Sequence, residues 1–384
     1  MSRVSGPPPH GVYAPAITFF DGQENIDFDS IAKHVQRLLK AEITGLVVHG
    51  SNGEATHLSD KERVEIISYI RSTANLFERQ TPIIAGCSSN SVRQTLELIS
   101  QAQLAGADYA LVLPPSYWAA AMTKPIIKSF YRDVAAESKL PIVIYNFPNV
   151  ASGIDVDSDL IIELARELPN ISGVKLTCGN LGKLQRVTAA LTTDKFSAFA
   201  GKADFMLPGL VCGSAGVIAA LANVVPRVHV ELLRAYSAGD LERAAAIQKG
   251  LSSADAALLK FGISGVKTSC RKWFGYGDGR VRRPLPTVEL SRMDGDAVQS
   301  IERLIELEIL WSVEAPTYKK TQEMSNRIGI LDGGRAVLCR CVPVVKLLPS
   351  GACHEDESVT GDFPTESSIR QRLDLRESPW EGSE

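Results

Sequence analysis

No stretch of the chain approaches the ~18–20 consecutive apolar residues of a membrane-spanning helix, so a helical membrane protein is not expected. Excess positive charge is also missing. Lysines and arginines number 41 against 44 acidic residues, a formal net charge of −3. A general nucleic-acid binder would carry a basic surplus or stripe, so no nucleic-acid partner is expected. Cysteine is sparse and unpaired in pattern. Its seven positions, 87, 178, 212, 270, 339, 341 and 353, form no disulfide framework, which points to a reduced, intracellular chain. Met1 to Tyr13 lack the apolar core of a secretory signal and the Arg-rich amphipathic pattern of a transit peptide, so the cytosol is the expected compartment. The Asn170-Ile171-Ser172 sequon then carries no meaning.

What remains is an ordinary globular composition, with 45% apolar and 22% charged residues. A length of 384 residues allows one large domain with additions, or two smaller ones. Charge is unevenly placed. Residues 351–384 hold nine acids and three arginines, so that segment carries −6 and the rest of the chain +3.

Short apolar runs alternate with amphipathic stretches from Val12 to Ala219. The runs are Val12–Thr18, Gly45–His49, Pro82–Ala85, Tyr109–Leu113, Pro141–Tyr145, Ile171–Leu176, Phe196–Ala200 and Ala215–Ala219. Most are apolar at successive positions, as parallel strands covered on both faces should be. The intervening stretches read as helices. Ser59 with Glu62 forms a capping box opening Ser59–Ser72, Asn90–Leu104 has helical apolar spacing, and Asp155–Glu167 starts with acidic residues. Eight such units predict an α/β fold, a (β/α)8 TIM barrel over residues 10–224. A doubly wound sheet would carry a Gly-rich phosphate loop after its first strand. This chain has only the plain turn Phe20-Asp21-Gly22 there, and Gly275–Gly279 follows a helix instead. Helical segments at Arg227–Ala238, Leu241–Lys260, Gly265–Phe274 and Thr287–Leu310 predict a C-terminal helical extension over 225–312. A divergent tail occupies 313–384, its last ~30 residues expected to be disordered.

Catalytic groups of such barrels sit at the C-terminal strand ends. Those places hold Gly50-Ser51-Asn52-Gly53-Glu54, Pro114-Pro115-Ser116-Tyr117, Tyr145-Asn146-Phe147-Pro148, Lys175-Leu176-Thr177, Gly201 and Gly216-Val217-Ile218. An ammonium within an apolar strand is costly unless it is paired or neutral, and the neutral amine is what Schiff-base chemistry uses. Taken alone, Lys175 also fits a strand-end lysine in a salt bridge, Tyr145 a core tyrosine, Tyr117 a surface aromatic and the 50–54 stretch a plain turn. In combination, an amine, a phenol and an anion-binding loop at strand ends of one barrel describe an enzyme forming an imine with a 2-keto acid.

These motifs resemble the dihydrodipicolinate synthase / N-acetylneuraminate lyase superfamily of class I pyruvate aldolases. The resemblance spans roughly residues 10–310 and rests on GSNGE at 50–54, YNFP at 145–148, GVKLT at 173–177, Gly201 and Gly213-x-x-Gly216-Val217-Ile218. It implies Lys175 as the Schiff-base lysine, Tyr145 as the acid/base and Tyr117 as a proton relay, in some members across a subunit interface. Ser51 and Asn52, with Gly50, would hold the substrate carboxylate, and Gly201 and Ile218 would complete the binding site. No cofactor and no metal are implied. The expected partners are a 2-keto acid and pyruvate, with no membrane, and the expected assembly is a homotetramer or homodimer. Two departures stand out. Ser51-Asn52 replaces the family's frequent Thr-Thr, and no arginine follows the YNFP motif. The second departure argues against dihydrodipicolinate synthesis. It favours 2-keto-3-deoxy sugar acid aldolases, such as the L-threo-3-deoxy-hexulosonate aldolases, or the neighbouring 4-hydroxy-2-oxoglutarate aldolases. A keto-acid-binding protein on the same barrel is the non-enzymatic alternative.

Other patterns carry less. Ser172–Lys175 and Ser264–Lys267 fit S-x-x-K, but the first lies in a strand and the partner motifs of that chemistry are missing. Lys267, in a helical stretch, is expected to be structural. His49 and His57 flank the 50–54 loop without an evident third ligand, and Cys339, Cys341, Cys353 and His354 match no common zinc spacing.

Overall fold

In the computed structural model, residues 6–292 and 296–325 are described. Eight parallel strands close into a barrel in chain order: β1 (Gly11–Pro15), β2 (Gly45–Val48), β3 (Ile83–Gly86), β4 (Tyr109–Val112), β5 (Ile142–Asn146), β6 (Ile171–Leu176), β7 (Ser197–Ala200) and β8 (Gly216–Ile218). The strands alternate with helices α1 (Phe28–Lys40), α2 (Asp60–Ala74), α3 (Val92–Leu104), α4 (Lys124–Glu137), α5 (Ser158–Glu167), α6 (Leu181–Ala190), α7 (Met206–Val211) and α8 (Pro226–Ser237). This is the expected TIM barrel. The Ser59–Glu62 capping box is formed at the start of α2, and Asp157 caps α5. β6 matches its apolar run at both ends, and the other strand ends differ from theirs by at most three residues, because apolar positions continue into the loops that cap the barrel.

Strand pleat divides the apolar residues into two cores. Val47, Ile84, Tyr109, Leu111, Val143, Tyr145, Phe199 and Ile218 fill the barrel interior, while Leu46, Val48, Ile142, Ile144, Val174 and Leu176 face the helices. The Pro7–Pro9 run has a role here that the sequence did not signal. Tyr13, Ser197 and Tyr109 donate side-chain hydrogen bonds to the carbonyls of Pro9, Pro8 and Pro7, over 2.7, 2.7 and 3.2 Å. The segment thus lies at the start of β1, β4 and β7, away from the catalytic strand ends. Closure is tight at the seam. Gly216 has φ +138°, and a Cβ there would overlap the Gly11 carbonyl of β1.

Three further helices follow: α9 (Leu241–Leu259), α10 (Gly262–Phe274) and α11 (Asp296–Ser325). Residues 287–292 hold only a single 3-10 turn, Leu290–Arg292, so α11 starts later than the Thr287–Leu310 expectation. It also runs through position 313, where the sequence changes character. The disordered-tail reading and the Cys339, Cys341, Cys353 and His354 cluster lie outside the described residues.

A buried ion pair ties this extension to the barrel. Lys267 of α10 meets Glu54 of the loop after β2, and both side chains have no exposure to water. Glu54 also accepts the Arg282 backbone N–H at 2.9 Å, and Lys267 donates to the Arg280 carbonyl at 2.8 Å. Lys267 is thereby held in a structural contact.

Two stability outcomes follow from this packing. Gly216→Ala should lower the urea midpoint by the equivalent of about 2–4 kcal/mol, since the seam backbone must shift. Glu54→Gln strands a buried ammonium and should cost about 3–5 kcal/mol, with most of the loss recovered in the Glu54→Leu/Lys267→Met double variant. Equal midpoints for wild type and Glu54→Gln in urea denaturation would remove the importance given to this pair.

Candidate active site

Lys175 sits near the end of β6 and Tyr145 near the end of β5, and the two are register partners across the parallel pair. Both point into the barrel because they occupy the inward positions of their strands, with Val143 one pleat earlier on β5. Lys175 is only 2% exposed. Its Nζ donates to the Tyr145 Oη at 3.3 Å and lies 4.3 Å from that ring's centroid. Among the described residues it forms no ion pair with a carboxylate. The alternative of a solvent-exposed strand-end salt bridge is therefore not what the fold builds.

A cavity of about 250 Å³ opens at these strand ends. Ser51, Asn52, Tyr145, Lys175, Gly201 and Ile218 all line it, so six of the eight residues singled out from the sequence converge. Gly50 stands immediately before the 3-10 turn Ser51–Gly53 and shapes its entry. The turn is pinned from both sides. Thr18 donates to the Gly53 carbonyl at 2.8 Å, and Glu54 follows in the left-handed region at φ 52°, anchored by Lys267 and Arg282. Neither the Ser51 nor the Asn52 backbone N–H donates a hydrogen bond among the described residues, so both are free to meet an anion. Gly201 is glycine for a steric reason, since a Cβ would overlap Thr177 at the end of β6.

Tyr117 is different. It lies on the loop after β4, is 76% exposed, packs edge-on against Trp118 and does not line the cavity. The single chain does not bring it to Lys175.

Several residues at the site were not singled out from the sequence. Thr177, two positions past Lys175, lines the cavity with a buried hydroxyl that has no partner. Lys202 follows Gly201, and Val150 occupies the segment after YNFP. Among the described residues, lysines 175 and 202 are the only cations on the lining, and no arginine is among it. Asn146 of the YNFP motif turns away from the cavity. Its amide donates to Asp155 at 2.7 Å and its carbonyl oxygen accepts from the Val156 N–H at 2.9 Å, which closes the loop back on itself.

The far wall comes from α9 and α10, through Asp255, Leu258, Leu259, Ile263 and Val266. Asp255 is 1% exposed, and burial pushes its carboxyl up to about 6 while Lys202 pulls the other way. No motif marks it. The one signal in the sequence is that it is the sole charged residue between Lys249 and Lys260.

The two histidines are not brought together as ligands. His57 contacts the Glu54 carboxylate at 3.3 Å. His49 is buried with φ 60° and lines a separate small cavity with Arg63, Cys87 and Gln101; burial keeps it well below the usual imidazole range.

The arrangement has clear counterparts. Residues 8–302 match the dihydrodipicolinate synthetase family. An L-threo-3-deoxy-hexylosonate aldolase of Hypocrea jecorina is 44% identical over 78% of this chain and 97% of its own length. A Coccidioides immitis protein named as a mitochondrial 4-hydroxy-2-oxoglutarate aldolase is 44% identical over 68% of this chain and 82% of its own. Among solved structures, a dihydrodipicolinate synthase family protein from Coccidioides immitis superimposes with a TM-score of 0.69 at 38% identity, covering 80% of this chain and 98% of that one. An E. coli prophage protein of the dihydrodipicolinic acid synthase family, solved in complex with pyruvate, gives 0.71 at 27% identity, covering 77% and 98%. With its barrel, its strand-end lysine and tyrosine, and this extent of similarity, the chain belongs to the dihydrodipicolinate synthetase family.

Proposed function

We propose that the protein is a Schiff-base-forming class I aldolase that cleaves, or forms, a C–C bond of a 2-keto-3-deoxy sugar acid to give pyruvate and an aldehyde. The observation that carries this reading is the Lys175–Tyr145 pair, an amine withdrawn from water, with no carboxylate partner among the described residues and 3.3 Å from a phenol, inside a cavity that also holds Ser51 and Asn52. Two fungal relatives named L-threo-3-deoxy-hexylosonate aldolase, at 44% and 41% identity, support the substrate class.

In this mechanism the substrate carboxylate docks on the Ser51 and Asn52 N–H groups and side chains. Lys175 attacks the C2 carbonyl, Tyr145 gives its phenol proton to the departing hydroxyl, and loss of water leaves a protonated imine beside the Tyr145 phenolate. Tyr145 takes the proton of the C4 hydroxyl as the C3–C4 bond breaks, and an aldehyde departs. The bonding electrons pass into the protonated imine, leaving an enamine. Protonation at C3 and hydrolysis release pyruvate and restore the Lys175 amine. No metal or organic cofactor enters these steps. Thr177, with its unpaired hydroxyl, is placed to hydrogen bond with the imine's surroundings. Tyr117 serves as a relay only where a second copy carries it to the site, which fits a homodimer or homotetramer.

No arginine lines the cavity among the described residues, which tells against dihydrodipicolinate synthesis. Lys202 is the observation that favours a second reading, 4-hydroxy-2-oxoglutarate cleavage, since it offers a cation to a distal carboxylate. No described helix is long and apolar enough to cross a membrane, the cytosol is the expected location, and the names of two relatives carry the word mitochondrial.

Borohydride reduction in the presence of pyruvate should place a stable adduct on Lys175, read by peptide mass. Lys175→Ala should lose both the adduct and retro-aldol activity, and Tyr145→Phe should lower kcat by roughly 10²–10⁴-fold. A fully active Lys175→Ala enzyme, or an adduct on another lysine, would sink the mechanism. Keto-acid binding without turnover of any hydroxylated 2-keto acid would support the binding-protein alternative.

A further inference from the structure

The proposed chemistry uses one end of the cavity. Pyruvate's three carbons engage Ser51, Asn52, Lys175 and Tyr145, and the departing aldehyde must lie against the remaining wall. That wall is largely apolar, with Leu258, Leu259, Ile263 and Val266. One carboxylate interrupts it. Asp255 is buried, yet only its Oδ2 has a partner, the Asp204 N–H at a long 3.3 Å. Its Oδ1 accepts no hydrogen bond among the described residues, and the residue lines the cavity.

A buried carboxylate with an unused acceptor is costly, and the cost is offset when a bound group donates to it. The neighbouring polar side chains of α9 are already committed elsewhere. Gln248 holds the Leu207 N–H at 2.7 Å and the Ala203 carbonyl at 2.9 Å, and Ser252 donates to the Asp204 carbonyl at 2.8 Å. These contacts fix α9 against the turn after β7 and hold Asp255 at the cavity wall.

We infer that Asp255 is the specificity-determining acceptor for the distal hydroxyls of the substrate, selecting a polyhydroxylated aldehyde portion over an alkyl or carboxylate one. The inference rests on the aldolase reading above and names the part of the substrate that reading leaves open. A hydroxyl donates to the Asp255 carboxylate. A methyl group leaves it unpaired, and a second carboxylate meets like charge at close range. Lys202, a cation lining the same cavity, moderates the last effect. Discrimination therefore arises from Asp255 and Lys202 together, with the acid favouring hydroxyls.

The test compares kcat/KM of wild type, Asp255→Asn and Asp255→Ala on three substrates: an L-threo-2-keto-3-deoxy-hexonate, 4-hydroxy-2-oxopentanoate, whose distal end is a methyl, and 4-hydroxy-2-oxoglutarate. The preference for the hexonate over each of the other two should fall roughly ten- to hundredfold in Asp255→Ala. Asp255→Asn, which keeps an acceptor for the Asp204 N–H, should lose preference chiefly against 4-hydroxy-2-oxoglutarate, because the repelling charge is gone. Parallel loss on all three substrates, or unchanged ratios, overturns the inference. Borohydride trapping of pyruvate is run on the same variants. An adduct on Lys175 with unchanged ratios defeats the Asp255 assignment alone, whereas no adduct in wild type defeats the aldolase reading itself.

Discussion

A single carboxylate with no exposure to water holds the working parts of this protein together. Glu54 takes the Lys267 ammonium, the Arg282 backbone N–H and His57. Removing two charges from water is expensive, and only close pairing with further hydrogen bonds makes it tolerable. Burial pushes Lys267 down to about 8 even with Glu54 opposing the shift. The pairing has a geometric consequence. Glu54 directly follows the Ser51–Gly53 turn, so the loop that offers free N–H groups to an anion is fixed by a helix 213 positions later in the chain.

The cavity is therefore a joint product of barrel and extension. Barrel strands supply the reactive end, where Lys175 and Tyr145 are register neighbours. Helices α9 and α10 supply the opposing wall, apolar except for Asp255. This division separates chemistry from selectivity. In the proposed mechanism the amine and phenol serve any 2-keto acid able to form an imine, and in the inference drawn from Asp255 side chains of the extension and of the β7 loop select the aldehyde portion. A shared catalytic core with different substrates is what such a division permits.

Much of the fold was legible in the sequence. Eight apolar runs separated by amphipathic stretches leave few arrangements other than a closed parallel barrel. The strand-end rule then located Lys175, Tyr145, Gly201 and Ile218, since strand ends can be read to within a few residues. Other positions were not legible. Tyr117 shares a strand-end loop with its neighbours but faces water in the single chain, because loop direction is not encoded by apolar period. Asp255 lies mid-helix, far from any strand, and becomes part of the site only when α9 packs over the barrel mouth. Thr177 stood within a quoted motif, but its unpaired, buried hydroxyl is a property of surroundings, not of residue type.

Local periodicity acts over neighbouring residues, so the sequence by itself determined the order of the eight βα units and the strand-end placement of the amine and the phenol. Side-chain burial and pairing depend on segments brought together from far apart. Only the tertiary structure decided that Lys175 has no carboxylate partner among the described residues, that Lys267 finds one in Glu54, that Pro7 and Pro9 meet the tyrosines of the barrel interior, and that Asp255 reaches the cavity at the strand ends. The reason is physical: the cost of a buried charge is set by the groups around it in space, and those groups are not its neighbours in the chain.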